Sequence, residues 1–244
     1  MSAVASSSQP QLAPHSANCP ACGTVSEARQ AWRFINVRGE AEWLQCPACR
    51  SYFLDHEYSV ENEVTHTKKM IWGDTTDGEQ MNQFKRRMYE STMETLLRHV
   101  DPTGKTLLDI GCSWGGFMEV AREAGFEVTG YDLLQEAVNR VNQAGMRAQC
   151  CTRIADFTLT DEQFDVISVL DANFYWPNQP EELKGIHARL KPGGLLVMRV
   201  ADKSWMARMG AALQNVSPAK AETILRRAVN DHRFSMPIRS FLRL

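Results

Sequence analysis

Between Lys105 and Val200 short apolar runs alternate with amphipathic stretches, and this alternation constrains the fold more than any other feature of the chain. Thr106–Ile110, Glu127–Tyr131, Arg147–Cys150, Phe164–Leu170 and Leu195–Val200 read as strands. Phe117–Ala124, Gln135–Ala144 and Glu181–Leu190 read as the helices between them. Gly125 and Gly145 close the first two, supplying the left-handed residue on which a helix can end. Strands alternating with helices require right-handed crossovers, so the expected architecture is α/β, a doubly wound, mostly parallel sheet covered on both faces. At 244 residues the chain has room for that core and a small satellite module.

The satellite is marked by cysteines. Of seven in the chain, four stand in two copies of Cys-Pro-Ala-Cys, Cys19–Cys22 and Cys46–Cys49. Such pairs fit metal binding in a reducing compartment better than a disulfide framework. Two knuckles place four thiolates tetrahedrally around Zn²⁺ and leave no open position, so the site would be structural. Cys19, Cys22, Cys46 and Cys49 are therefore the expected ligands of a zinc ribbon over residues 19–60, with short strands split at Arg38-Gly39. Cys112, Cys150 and Cys151 are expected as core thiols.

Residues 1–18 carry no Lys, Arg, Asp or Glu, which excludes a secretory or transit signal of the usual kind. They are expected as a disordered tail of a cytoplasmic protein. Residues 61–104 read as a polar connector through Gly73-Asp74 and Asp77-Gly78, then an amphipathic helix from Met81 to Val100. Its expected apolar face is Met81, Phe84, Met88, Leu96 and Leu97. No apolar run approaches the ~18 residues of a membrane span. With 27 Lys and Arg against 29 Asp and Glu, a protein that coats nucleic acid is disfavoured.

The turn Gly111-Cys-Ser-Trp-Gly115-Gly116 joins the first strand to the first helix of the α/β region. Such a turn lets backbone approach a ligand closely and present N–H groups. Alone it also suits a dinucleotide. Asp109 stands two residues before Gly111, at the carboxyl end of the strand, where a carboxylate repels the pyrophosphate such turns attract. It suits a ligand without phosphate and with positive charge, as S-adenosylmethionine is. Asp132 follows the second strand, where an acid accepts hydrogen bonds from both ribose hydroxyls.

Four blocks in order, Asp109-Ile-Gly-Cys-Ser-Trp-Gly-Gly-Phe117, Val128-Thr-Gly-Tyr-Asp132, Phe164-Asp-Val-Ile167 and Leu190-Lys-Pro-Gly-Gly194, resemble the class I S-adenosylmethionine-dependent methyltransferases. The resemblance implies a Rossmann-like domain, here residues 105–244, preceded by a zinc ribbon. It implies that Asp109, Gly111 and Gly115 shape the methionine pocket, that Asp132 grips the ribose and that Leu133 packs on adenine. Asp156 would hold the adenine amine and Asp171 would border the methionine side. Ser113 stands where the family usually has glycine.

Asp171-Ala-Asn-Phe-Tyr-Trp-Pro177 lacks the prolines of methyltransferases that act on nucleobase or amide nitrogen, and lacks the Glu-His of many small-molecule members. Tyr175 could orient an acceptor hydroxyl, or Phe174, Tyr175 and Trp176 could form an apolar pocket wall. His187 reads as a packed or surface residue, and no base is assigned. Past Val200 the sequence gives helices Trp205–Asn215 and Pro218–Asn230, then a third running from after Ser235 to Leu244. The family's two final strands are not found, so the fifth strand is expected as an exposed edge open to self-association. The expected activity is methyl transfer to a small molecule at oxygen or carbon. RNA methylation is the first alternative, which the acidic ribbon disfavours: residues 19–60 hold four Arg against five Asp or Glu. A degenerate methyltransferase serving as a zinc-containing interaction module and a nicotinamide oxidoreductase are the others.

Overall fold

The computed structural model describes residues 15–36, 39–55, 58–68, 78–229 and 232–244. Most of the connector expected around Gly73-Asp74 and Asp77 lies outside the described residues, as do residues 1–14.

The first four strands, β1 (His15–Asn18), β2 (Val25–Asn36), β3 (Gly39–Gln45) and β4 (Tyr52–Asp55), pair in sequence order, all antiparallel. One Cys-Pro-Ala-Cys turn joins β1 to β2 and the other joins β3 to β4. The disorder expected through residue 18 does not hold for its last four residues: His15–Asn18 pairs with residues 25–28, and its backbone groups are satisfied by the outer edge of β2. Trp32 and Trp43 stack at 6.0 Å between centroids, and Tyr52 lies 4.8 Å from Trp32, so one face of this small sheet is an aromatic layer.

Helix α1 (Val60–Thr67) opens on Ser59, whose hydroxyl accepts the Asn62 N–H, with Glu61 and Glu63 favourably placed in the first turn. Helix α2 (Gly78–Leu96) buries Tyr89, Met93 and Leu96 against Phe117 and Leu107. Of the apolar face expected, Leu96 is buried and Met81 and Met88 pack against buried clusters, but Leu97 is exposed and Phe84 is 86% exposed. At 3.6 residues per turn Phe84 lies about 140° round the helix from Tyr89, so both cannot face the sheet.

The second sheet is built from β5 (Thr106–Ile110), β6 (Glu127–Asp132), β7 (Arg147–Cys150), β8 (Phe164–Leu170) and β9 (Leu190–Arg199). All are parallel, in the order β7-β6-β5-β8-β9. Helices α3 (Gly116–Ala124), α4 (Gln135–Gln143) and α5 (Gln179–Arg189) fill the crossovers. Leu107, Leu108 and Ile110 of the central β5 are fully buried, as a strand covered on both faces requires. Strand β9 lies at the edge, with no strand beyond it among the described residues. Cys112 is a buried core thiol, but Cys150 is exposed because it ends β7 at the opposite edge.

The C-terminal residues turn back onto the first sheet. Helices α6 (Ser204–Leu213) and α7 (Pro218–Val229) cover its aromatic layer, packing Ala207, Leu225, Ala228 and Val229 on Trp32, Trp43, Tyr52 and Leu54. Strand β10 (Phe234–Ser235) then adds to β4, with Phe234 opposite Phe53. The last helix, α8 (Ile238–Phe241), is a single turn and stops short of the Leu244 expected. No described helix is long and apolar enough to cross a membrane.

Candidate active site

The carboxyl ends of β5, β6 and β8 meet at the glycine turn. The Tyr131 carbonyl receives the N–H groups of both Gly111 and Cys112, which fixes the turn to the end of β6. Gly111, Ser113 and Gly115 have φ of 72°, 47° and 81°, three left-handed residues in five. A Cβ on Gly111 would stand 2.8 Å from the Ala172 Cβ, and one on Gly115 would stand 3.0 Å from Val141 Cγ2. The turn therefore needs glycine at both ends for space as well as conformation. Ser113 bears its left-handed geometry at a strain of about 1–2 kcal/mol.

Asp109 and Asp132 sit at the ends of neighbouring strands, both almost fully buried. The Ser168 hydroxyl donates to Asp109 Oδ1 at 2.7 Å. Burial pushes the Asp109 carboxyl up to about 7; Ser168 opposes that shift and the nearby Asp132 charge adds to it. Asp132 takes one backbone N–H on each oxygen, Leu134 on Oδ1 at 2.9 Å and Ser113 on Oδ2 at 2.8 Å. Burial raises its carboxyl too, against the pull of those two donors. Two buried acids at neighbouring strand ends, with the charge of Asp132 raising the proton affinity of Asp109, favour a cation over a phosphate beside them.

The other expected residues fall into two groups. Leu133 is half-buried in an apolar wall with Trp114, Leu134, Ala137, Met81 and, from α1, Val64. Asp171 has φ of 60° and its carboxylate is paired with Arg199, while the adjacent Ala172 closes on Gly111. Asp156, by contrast, is exposed on a 3-10 turn and faces Arg153 at 3.7 Å, outside the cluster formed by Asp109 and Asp132. The sequence did not point to Val64, Met81 or Trp114 as wall residues.

Beyond β8, Asn173–Tyr175 forms a 3-10 turn whose aromatic rings meet two histidines from distant segments. Phe174 stacks on His232 at 3.6 Å, and Tyr175 lies 6.2 Å from the His66 ring. Arg233 Nη1 donates to Glu63 Oε1 at 2.8 Å, a buried ion pair that ties α1 to the segment before β10. Nothing local in the sequence marks these four residues, because each meets a partner from a distant segment of the chain.

The four cysteines of the knuckles converge, with all sulfurs within 4.8 Å of one another. Sγ–Sγ distances are 3.8 Å for Cys19–Cys49 and for Cys22–Cys46. A tetrahedron of thiolates ~2.3 Å from a central Zn²⁺ has edges of ~3.8 Å, so the donor set fits in chemistry and in size. Each knuckle closes with the same bond, Gly23 N–H to the Cys19 carbonyl and Arg50 N–H to the Cys46 carbonyl.

A family profile described as "Methyltransferase domain" matches residues 81–244. The chain belongs to this family of methyltransferase domains, with its Rossmann-like α/β fold. Among curated relatives, the Ubiquinone biosynthesis O-methyltransferase of Idiomarina loihiensis is 32% identical over 45% of this chain and 49% of its own length. The 24-methylenesterol C-methyltransferase 2 of Oryza sativa subsp. japonica is 30% identical over 69% of this chain and 49% of its own. The chain thus spans about half the length of either relative. The plantazolicin methyltransferase BpumL, crystallised with a triazolic desmethylPZN analog and SAH, shares the fold at a TM-score of 0.51. It is 19% identical, over 75% of this chain and 72% of its own.

Proposed function

We propose that the protein transfers a methyl group from S-adenosylmethionine to a small molecule, at oxygen or carbon. The observation that carries this reading is the pair of buried carboxylates, Asp109 and Asp132, at adjacent strand ends on either side of a close-approach turn. Asp132 would accept the ribose hydroxyls, and Asp109 with Gly111, Ser113 and Gly115 would hold the cationic methionine end. Leu133 would lie on adenine; Asp171 would border the methionine side, and Asp156 would serve the adenine amine from the rim. When bound, the cofactor supplies an electrophilic methyl on a sulfonium. The chain's own part is to align an acceptor in line with it and exclude water. The names of the relatives span both O- and C-methylation, which supports leaving both acceptor atoms open.

Zn²⁺ would be held by Cys19, Cys22, Cys46 and Cys49 as a closed cross-link without chemistry of its own. The open edge of β9 is where a second copy would pair. Calorimetric titration with S-adenosylhomocysteine and with NAD⁺ tests the reading, alongside metal analysis. Binding of the nucleoside thioether with one zinc per chain is expected. Binding of NAD⁺ in its place would overturn it.

A further inference from the structure

The first Cys-Pro-Ala-Cys knuckle is hydrogen-bonded to the start of α5 through Gln179. Gln179 is completely buried at the start of α5. Its backbone N–H, one of the donors that a helix N-terminus leaves without an internal partner, is given to the Pro20 carbonyl at 2.8 Å. Its side-chain Nε2 donates to the Ala21 carbonyl at 3.1 Å. Its Oε1 accepts from Asn173 Nδ2 at 2.8 Å. Pro20 and Ala21 are the two residues between Cys19 and Cys22, and Asn173 opens the turn that follows β8. One amide therefore bridges the interior of a metal knuckle and the segment that continues from Asp171 and Ala172, against which Gly111 closes.

Packing follows the same path. Phe174 lies in one apolar cluster with Cys19, Cys46 and Cys49, with Tyr175 packed against it, and the Phe174 carbonyl accepts the Arg233 N–H at 3.0 Å. A knuckle held by its metal presents the Pro20 and Ala21 carbonyls at fixed positions. A knuckle without it is free to turn them away, and Gln179 is what transmits the difference. We propose that Gln179 is a positioning residue through which the metal state of the four-cysteine site sets the conformation of Asn173–Tyr175, the wall of the acceptor pocket. Only the identification of that turn as the acceptor wall rests on the function proposed above; the coupling itself rests on these contacts.

Coupling of this kind is reciprocal, so it can be read from either side. The experiment uses the full zinc-loaded chain, wild type and Gln179→Met, which keeps the volume and removes the side-chain hydrogen bonds. The readouts are amide exchange at residues 173–176, zinc release to a chromogenic chelator and S-adenosylhomocysteine affinity. In wild type, withdrawing zinc is expected to speed exchange at 173–176 roughly tenfold or more, the effect of losing buried hydrogen bonds. In Gln179→Met, exchange there is expected to be fast already and zinc withdrawal to add less than twofold. Zinc release is expected to be about tenfold faster than in wild type, with amides of β5 and β6 unchanged. Residues that act through one another are non-additive in this way, and a merely packed glutamine is not.

If zinc withdrawal accelerates 173–176 equally in both proteins, or in neither, the proposal fails. Should Gln179→Met not fold, Gln179→Glu carries the same comparison, since it retains the acceptor for Asn173 and loses the donor to Ala21. Because the measurement uses no methyl acceptor, absence of transferase activity would overturn the proposed function and leave this result standing. Loss of the coupling would do the reverse.

Discussion

The Ser113 N–H and the Asp132 carboxylate, 19 residues apart, are joined by a 2.8 Å hydrogen bond. The bond explains why a serine tolerates a φ of 47° here: the left-handed conformation aims its N–H at the acid that ends β6. Turn and acid are therefore one unit, and perturbing either disturbs the other.

Asp132→Asn is expected to weaken S-adenosylhomocysteine binding by at least about tenfold. An amide can present only one acceptor oxygen to the two N–H donors that Asp132 now satisfies, and hydrogen bonds to a charged group contribute ~1.5–3 kcal/mol each. Calorimetry measures this directly, and an affinity within twofold of wild type would contradict it.

Cofactor binding is expected to follow the ionisation of Asp109. Its folded carboxyl sits at about 7, far above an exposed aspartate, and only the ionised form attracts an ammonium group. Affinity should therefore rise about tenfold per pH unit up to about 7 and level off above it. The same shift makes the ligand-free protein lose stability as pH rises from ~4 through about 7, because the folded state holds the proton longer than the unfolded chain. Asp109→Asn should flatten both profiles, in titrations and in thermal scans.

Substitutions in the turn are expected to have opposite signs. Ser113→Gly relieves left-handed strain and should raise stability by a fraction of ~1 kcal/mol, after allowing for the greater freedom of glycine in the unfolded chain. Gly115→Ala adds a Cβ at a φ of 81° and 3.0 Å from Val141 Cγ2, and should destabilise by about 1–3 kcal/mol. Urea midpoints at constant slope distinguish the two.

Breaking the buried pair of Glu63 and Arg233 is expected to be costly. Glu63→Ala takes this carboxylate from a guanidinium that is 4% exposed, and should lose about 3–5 kcal/mol. The double substitution Glu63→Met with Arg233→Met should recover much of that loss, since no charge is then left buried. Equal loss in the single and double variants would show that the pair itself, and not the charge left behind, dominates.

What was legible in the sequence is what is local. The strands and helices from Thr106 to Arg199 declare themselves by periodicity, and Asp109 and Asp132 by standing where such strands end. The knuckles are legible because their spacing is a chemical requirement. At α2 only Phe84 and Leu97 were misread: Phe84 is apolar but falls outside the stripe set by Tyr89, Met93 and Leu96, while Leu96 was read correctly. The meeting of β10 with β4, of Glu63 with Arg233 and of Gln179 with the first knuckle was invisible: each joins segments more than 100 residues apart with no shared pattern.

The return of β10 and α7 to the first sheet has a consequence for how the protein is made. Residues 15–55 leave the ribosome some 180 residues ahead of Phe234, a delay on the order of ten seconds at ordinary rates of elongation. Throughout that interval Trp32, Trp43, Tyr52 and Leu54 have no cover from Leu225 and Val229. The nascent chain thus carries an adhesive aromatic surface over that interval, and chaperone demand should be greatest before α7 and Phe234 emerge.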